Sequence, residues 1–380
     1  MLGVALTAQV GFSVVDQGIP TLTGFIKDDL GLSAATAGLA VSSFAAGRIL
    51  GSYAAGSAAD RLGERRVLAF GTITAASLVA LAAIAPLPVF FPLLVLGGIA
   101  GAASTPAGGR LVLLAFPRDR HGLALGIRQT GIPLGGLVAA AILPWLAHLE
   151  SWRWSLAVAA GIAASAAIPL LVIRTDADRA DRAPRERSPG RVWNRNIVLL
   201  TGWGCLIVSG QYALVAFLAL DLHQRLGLRL AAGSLLLAVA NASGIAGRIA
   251  WGAVSDRVIA RGRKPLLLVL TAEGFVSALL LAALPHRAPI AVAVVVAVVA
   301  GIGLIGYQGL WVTMVAEAAG PERVGAATGF AITFITISIA LSPPLYGLVA
   351  DLAGTYRAIW AALAVVLAVA FVPALAIRER

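Results

Sequence analysis

The chain has 380 residues, of which 59% are hydrophobic and only 12% charged, with a mean hydropathy of +0.91. So little polar surface cannot cover a water-soluble globule of this length, which places the chain in a bilayer. The formal net charge of +11 could attract nucleic acid, but the excess lies in short loops between apolar runs, where anionic lipid headgroups are the expected partner and nucleic acid is not.

A helix that crosses the hydrocarbon needs about 20 mostly apolar residues, and twelve such runs follow one another between loops rich in Gly, Pro and charge. They are predicted at 3–26, 34–57, 67–86, 89–116, 122–147, 154–173, 197–220, 231–254, 266–284, 289–316, 325–350 and 358–377. The expected fold is therefore all-α and integral to the membrane, with twelve transmembrane helices. Of the 29 Lys and Arg, 19 fall in the loops and tail that are cytoplasmic if both termini are inside, and six fall in the outer loops. The positive-inside rule then puts both termini in the cytoplasm, with a bacterial inner (plasma) membrane as the expected location. Met1 leads straight into the first span with no basic n-region, so no cleavable signal is expected, and the natural N-terminus is allowed to be slightly longer.

Between the sixth and seventh runs, Arg174 to Asn196 is rich in Asp, Arg, Pro and Ser and reads as a flexible connection. This gives an N-terminal six-helix bundle at 1–173, a linker at 174–196 and a C-terminal bundle at 197–380. Cys205, the single cysteine, excludes an intrachain disulfide and a thiolate metal cluster. His121, His148, His223 and His286 are scattered at no metal-ligand spacing, so no metal or cofactor is expected.

The two bundles repeat one another. Gly47-Arg48-Ile49 with Gly56 and Asp60-Arg61 recurs as Gly247-Arg248-Ile249 with Gly252 and Asp256-Arg257. Leu30-Gly31-Leu32 is echoed by Leu226-Gly227-Leu228, and Trp152-Arg153 by Tyr356-Arg357. Two pseudo-symmetric membrane halves are the usual build of a transporter. Gly56 lies one helical turn before Asp60 on the same face, which lets a neighbouring helix approach the carboxylate closely.

The run Gly56-Ser-Ala-Ala-Asp60-Arg61-Leu-Gly63-Glu-Arg65-Arg66 resembles the signature loop of the major facilitator superfamily, G-x-x-x-D-R-x-G-R-R. The second copy at Gly252, Asp256 and Arg257, followed by Arg261, Arg263 and Lys264, falls where that family carries its weaker repeat. The resemblance implies that Gly56, Asp60, Arg61, Gly63, Arg65, Arg66, Gly252, Asp256 and Arg257 form an inner gate that is shut in the outward-open state; the alternative is that these charges only anchor helix ends. Gly126 to Gly136, with Gly131, Pro133 and Gly135, is similar to a loosened form of the family's antiporter motif, with Ile132 inserted between Gly131 and Pro133. Packing of a bendable helix is its expected job.

Four basic residues remain within the spans: Arg48, Arg110, Arg128 and Arg248. Asp16 and Glu273 are the clearest intramembrane acids, with Glu317 near a helix end. An ionised side chain at a helix centre costs about 2.5–3.5 kcal/mol even on lenient insertion scales, so each needs a partner, water or a ligand. Arg48 and Arg248, in corresponding spans, offer forks of donors that match a carboxylate, and the resemblance points the same way. The competing reading is structural: Arg48 paired with Asp16, and Arg248 with Asp256 or Glu273. Asp16, followed by Gln17, is a candidate proton carrier, while Gln211, Tyr212, Tyr307 and Gln308 are candidate cavity linings. Arg110 and Arg128 read as structural. Gly301-Ile-Gly303-Leu-Ile-Gly306 fits a dinucleotide fingerprint literally, but it lies inside a span with no βαβ context.

The chain is thus expected to be a monomeric, non-enzymatic secondary transporter working by alternating access. Its expected cargo is a small organic anion, coupled to protons or a counter-anion. Efflux of lipophilic compounds and a non-transporting receptor or assembly role are the rival readings.

Overall fold

The computed structural model describes residues 2–104, 107–108, 111, 127–172, 194–258, 262–319 and 324–378. Among these, every regular element is helical. In chain order they are α1 (Leu2–Thr21), α2 (Thr23–Leu30), α3 (Ala34–Leu62), α4 (Glu64–Ile84), α5 (Leu87–Gly101), α6 (Gly131–Leu149) and α7 (Trp152–Val172). There follow α8 (Arg195–Leu226), α9 (Leu230–Val258), α10 (Lys264–Ala283), α11 (Ile290–Ile305), α12 (Gln308–Ala319), α13 (Val324–Ala353) and α14 (Arg357–Ala376). Among the described residues, eleven helical stretches are long and apolar enough to cross a membrane, and the shorter apolar helix α5 takes the place of the fourth span. Large apolar side chains such as Ile84, Val172 and Leu352 lie fully on the outside, which suits lipid and not water.

Several boundaries differ from expectation for physical reasons. The first span runs on as α2 to Leu30 after an irregular residue at Leu22, just past Pro20, which has no N–H to give the helix. The seventh was expected to end at 220 but continues to Leu226. Asp221 and Arg225, one turn apart, form a fully buried ion pair, and Arg225 also donates to the carbonyls of Leu281 and Leu284, so both charges are met inside the protein. The tenth, expected to be continuous over 289–316, is broken at Gly306–Tyr307 into α11 and α12. The linker at 174–193 and Arg110 lie outside the described residues, as does Gly126.

Two compact units arise from these helices. One holds Met1–Asp29 with Leu39–Arg185, and the other holds Leu30–Gly38 with Glu186–Arg380. Within the first, α1 packs on α6 and α7, and α4 on α5 and α7; within the second, α8 packs on α13 and α14, α9 on α11, and α10 on α14. Lipid supplies no hydrophobic force between helices, so close backbone approach through small residues does that work. A Cβ at Gly47 would sit 2.0 Å from the Val95 carbonyl, and one at Gly301 would sit 2.1 Å from the Ala240 carbonyl.

The duplication reaches the helix ends. Arg65 Nη1 donates to the carbonyls of Leu170 (2.6 Å) and Leu171 (3.3 Å) at the end of α7. Lys264, 199 residues on, donates to those of Leu375 (2.5 Å) and Ile377 (3.0 Å) at the end of α14. Arg153 caps the end of α4 through Ala83 and Ala85, and Arg357 caps the end of α10 through Ala282. A cation at a helix C-terminus meets orphan carbonyls and the negative end of the dipole. At the start of α3, the amides of Ala34 and Ala35 each donate to the carboxylate of Asp351 at 2.9 Å.

Candidate functional site

Helix packing decides where the interior arginines point. Gly47 is pressed against α5, so the next residue turns about 100° around α3, and Arg48 reaches α1. Its Nη1 donates to Asp16 Oδ1 at 2.8 Å, with the two side chains 16% and 13% exposed. Phe12, one turn before Asp16 on α1, lies 5.9 Å from the Arg48 guanidinium, ring centroid to Cζ. The pair is thus roofed by an aromatic face that limits water and strengthens the attraction.

A second guanidinium meets α1 two turns earlier. Arg128 is 2% exposed; its Nη2 donates to Gln9 Oε1 (2.5 Å) and to the Ser104 carbonyl (2.6 Å), just beyond the end of α5. Gln9 is held in turn by donating to Ser13 Oγ at 3.1 Å. Gly108 faces the guanidinium, and a Cβ there would fall 2.3 Å from Nη2. Gln9 and Asp16 are seven residues apart, roughly 10 Å of helix. Gln17, also expected here, is 2% exposed on the same helix.

In the second unit, Gly247 packs on Ile302 and Gly306, and Arg248 Nε donates to the Ile305 carbonyl at 3.1 Å. That carbonyl lies at the break between α11 and α12, where the helical ladder stops and leaves acceptors available. Tyr307, in the break, is 1% exposed, with its ring edge-on to Trp203 at 5.8 Å. Gln308 opens α12, and its Oε1 is buried without a hydrogen bond. Gln211 and Tyr212 are buried in the middle of α8. The structural alternative of an Arg248–Glu273 pair is not what forms, since the Glu273 carboxylate makes no ion pair or hydrogen bond.

Of the gate residues, Gly63 sits between α3 and α4 with φ 87°, and its counterpart Gly262 has φ 82°. Side chains other than glycine rarely adopt that conformation, so the loop turns there. Arg65 is buried as the α7 cap and Arg66 is exposed. Gly252 is half-buried on α9. The helices run through Gly56, Asp60, Arg61, Asp256 and Arg257, whose side chains lie outside the described residues. Next to the second loop, Arg263 pairs with Glu317 at 2.9 Å and donates to Ser255 Oγ.

Sequence reasoning missed Gln9 and Ser104 as partners of Arg128. The available signal was Gln9 itself, a polar residue two turns from Asp16 in an apolar span. The Gly301-Gly303-Gly306 spacing proves to mark helix packing and the α11–α12 break.

Comparison with known proteins agrees with this architecture. The sequence model of the Major Facilitator Superfamily matches residues 4–343, with a further match over 261–380. An uncharacterised MFS-type transporter of Mycobacterium tuberculosis, Rv2994, is 32% identical over 372 residues, covering 95% of this chain and 81% of its own length. The hexuronate transporter of Bacillus subtilis is 27% identical, covering 87% of this chain and 83% of its own. Among solved structures, the nucleoside transporter NupG superposes with a TM-score of 0.80 at 14% identity, over 99% of each chain. With its signature loop, its duplicated halves and its twelve spans, the chain is a multi-pass membrane transporter that belongs to the major facilitator superfamily.

Proposed function

We propose that this transporter carries a small organic anion together with a proton. The observation that supports the reading is the Arg48–Asp16 ion pair at 2.8 Å, mostly shielded from solvent. A carboxylate cargo that takes Arg48 must displace Asp16. The displaced carboxylate would lose its guanidinium, and taking up a proton offsets that loss of charge pairing. Anion and proton therefore load together: Arg48 holds the cargo, the Asp16 carboxyl holds the proton, and the total charge of the pair stays the same. The fork geometry of the guanidinium suits a carboxylate in particular.

In the first unit Gln17 joins Arg48 as a proposed substrate contact; in the second, Arg248 at the α11–α12 break, Tyr307, Gln308, Gln211 and Tyr212 are that unit's own proposed contacts. The two signature loops, with Asp60, Arg61, Asp256 and Arg257, serve as the gate of an alternating-access cycle. A hexuronate is a sugar carboxylate, and the similarity to a hexuronate transporter supports an anion of that class.

Uptake into proteoliposomes tests the reading. Labelled glucuronate, gallate and glucose are offered with and without an inward proton gradient, to wild type and to Arg48→Gln. Saturable, gradient-driven uptake of the carboxylates by wild type, lost in the variant, is expected. Uptake of glucose or of lipophilic cations equally well by both proteins would overturn it.

A further inference from the structure

Glu273 has no place in the scheme above, and its surroundings are unlike those of Asp16. It lies at the middle of α10, nine residues from Lys264 and ten from Ala283. On that helix, Val269, Val276 and Leu280 are exposed, and Glu273 falls in the same i, i+4, i+7, i+11 row, so it belongs to the apolar stripe that faces lipid. Its side chain passes Gly303 of α11, where a Cβ would come within 3.1 Å of Glu273 Cγ. The Oε2 atom is buried without a hydrogen-bond partner, and neither oxygen takes part in an ion pair.

The packed elements offer nothing to balance a negative charge here. Helix α11 contains no ionisable residue. The one charged residue of α14 is Arg357, at its start, and it is bound to the Ala282 carbonyl. On α8, the register next to Glu273 is taken by Trp203, which donates to Thr271 Oγ1, and by Ile207 against Gly274. Asp221 and Arg225 of α8 pair with each other, and Arg195, Cys205, Tyr212 and His223 make no bond to Glu273. Lys264, the only other charge on α10, caps α14.

We propose that Glu273 is held as a neutral carboxylic acid open to the lipid, and is thereby a covalent modification site for apolar carbodiimides, distinct from the Arg48–Asp16 pair. An ionised carboxylate with no partner at this depth carries the full cost of an intramembrane charge, which the protonated acid avoids. The protonated acid is also the form that reacts. Its O–H adds across one C=N bond of the reagent: the carboxyl oxygen bonds to the central carbon and the proton moves to a nitrogen, giving an O-acylisourea. With water and amines excluded by lipid, the second nitrogen attacks the acyl carbon. The bond between the acyl carbon and the bridging oxygen breaks, that oxygen stays on the former carbodiimide carbon as the urea carbonyl, and a stable N-acylurea remains. Nothing leaves, so the adduct carries the whole mass of the reagent.

The test treats the full chain in liposomes with dicyclohexylcarbodiimide and, separately, with a water-soluble carbodiimide plus glycine ethyl ester, followed by peptide mass spectrometry. The expected result is one intact dicyclohexylcarbodiimide on the peptide containing Glu273, at least tenfold above any adduct on Asp16, with the aqueous reagent confined to exposed acids such as Glu150 and Asp351. Glu273→Gln should lose the adduct and keep its melting temperature; if that variant does not fold, the wild-type adduct map decides by itself. An unmodified Glu273, or one that the aqueous reagent labels as readily as Glu150, would overturn the proposal. Because the readout is mass and not flux, it stands or falls apart from the proton–anion scheme.

Discussion

In the first unit Arg48 meets Asp16; in the second, Tyr212 stands 196 residues on from Asp16, and Arg248 rests on the Ile305 carbonyl. The rest of the framework is repeated closely: the glycines Gly98 and Gly301, facing the carbonyls of Phe44 and Ala240, the positive-φ turns at Gly63 and Gly262, and the basic caps Arg65 and Lys264. Duplication has therefore preserved what packs two helices together and let the middle of the spans diverge. Asp16 gives the arginine of the first unit an acidic partner on α1, and the corresponding position of the second unit carries Tyr212. On the proposed scheme, proton coupling belongs to the first unit.

The repeated framework should break equally in both units, and with the largest effect. Gly98→Val and Gly301→Val each force side-chain atoms into a neighbouring carbonyl, which should cost about 4 kcal/mol or more. Size-exclusion profiles of both should collapse to aggregate; a well-folded Gly301→Val beside a lost Gly98→Val would show that the two contacts are not equivalent. Next, the centres should part company. Arg48→Gln should lower kcat/KM for the carboxylate about 100-fold, corresponding to roughly 2.7 kcal/mol.

Asp16→Asn sharpens the distinction further. Exchange of labelled anion across the membrane should stay within about threefold of wild type, while accumulation driven by a proton gradient falls at least tenfold. Accumulation that survives in this variant would move the proton site elsewhere. A smaller effect belongs to the turns. Gly63→Ala and Gly262→Ala should each cost about 1–2 kcal/mol through left-handed backbone strain, lowering the melting temperature by a few degrees. The least is expected from Arg65→Gln and Lys264→Gln, about 0.3–1 kcal/mol each as helix-end interactions, read in the same thermal assay.

Much of this was legible in the chain. Spans show themselves because a run of some 20 apolar residues has few other uses, and the signature loop names its turn through Gly63. The orientation of Arg48 was not legible from amphipathicity, since a helix of Ala, Gly and Leu has too little contrast between its faces. Gly47 was the better guide, because a glycine locked against a neighbour fixes where the next side chain points. Asp221 and Arg225 read as loop charges because each alone would stop a span; only their one-turn spacing cancels the penalty and extends α8. The break after Ile305 stayed hidden because Gly306 and Tyr307 are apolar enough to continue the run.

The bond from Asp351 to the start of α3 has a bearing on biosynthesis. Residues Leu30–Gly38 pack with the second unit, and the amides of Ala34 and Ala35 find their acceptor 317 and 316 residues further along the chain. At about 5–20 residues per second of translation, the ribosome makes Asp351 roughly 15–60 s after Ala34. Throughout that interval the amides of Ala34 and Ala35 must be met by water or headgroups, while Ser33 already caps Thr36, so the second membrane crossing is begun early in synthesis and finished only when the eleventh arrives.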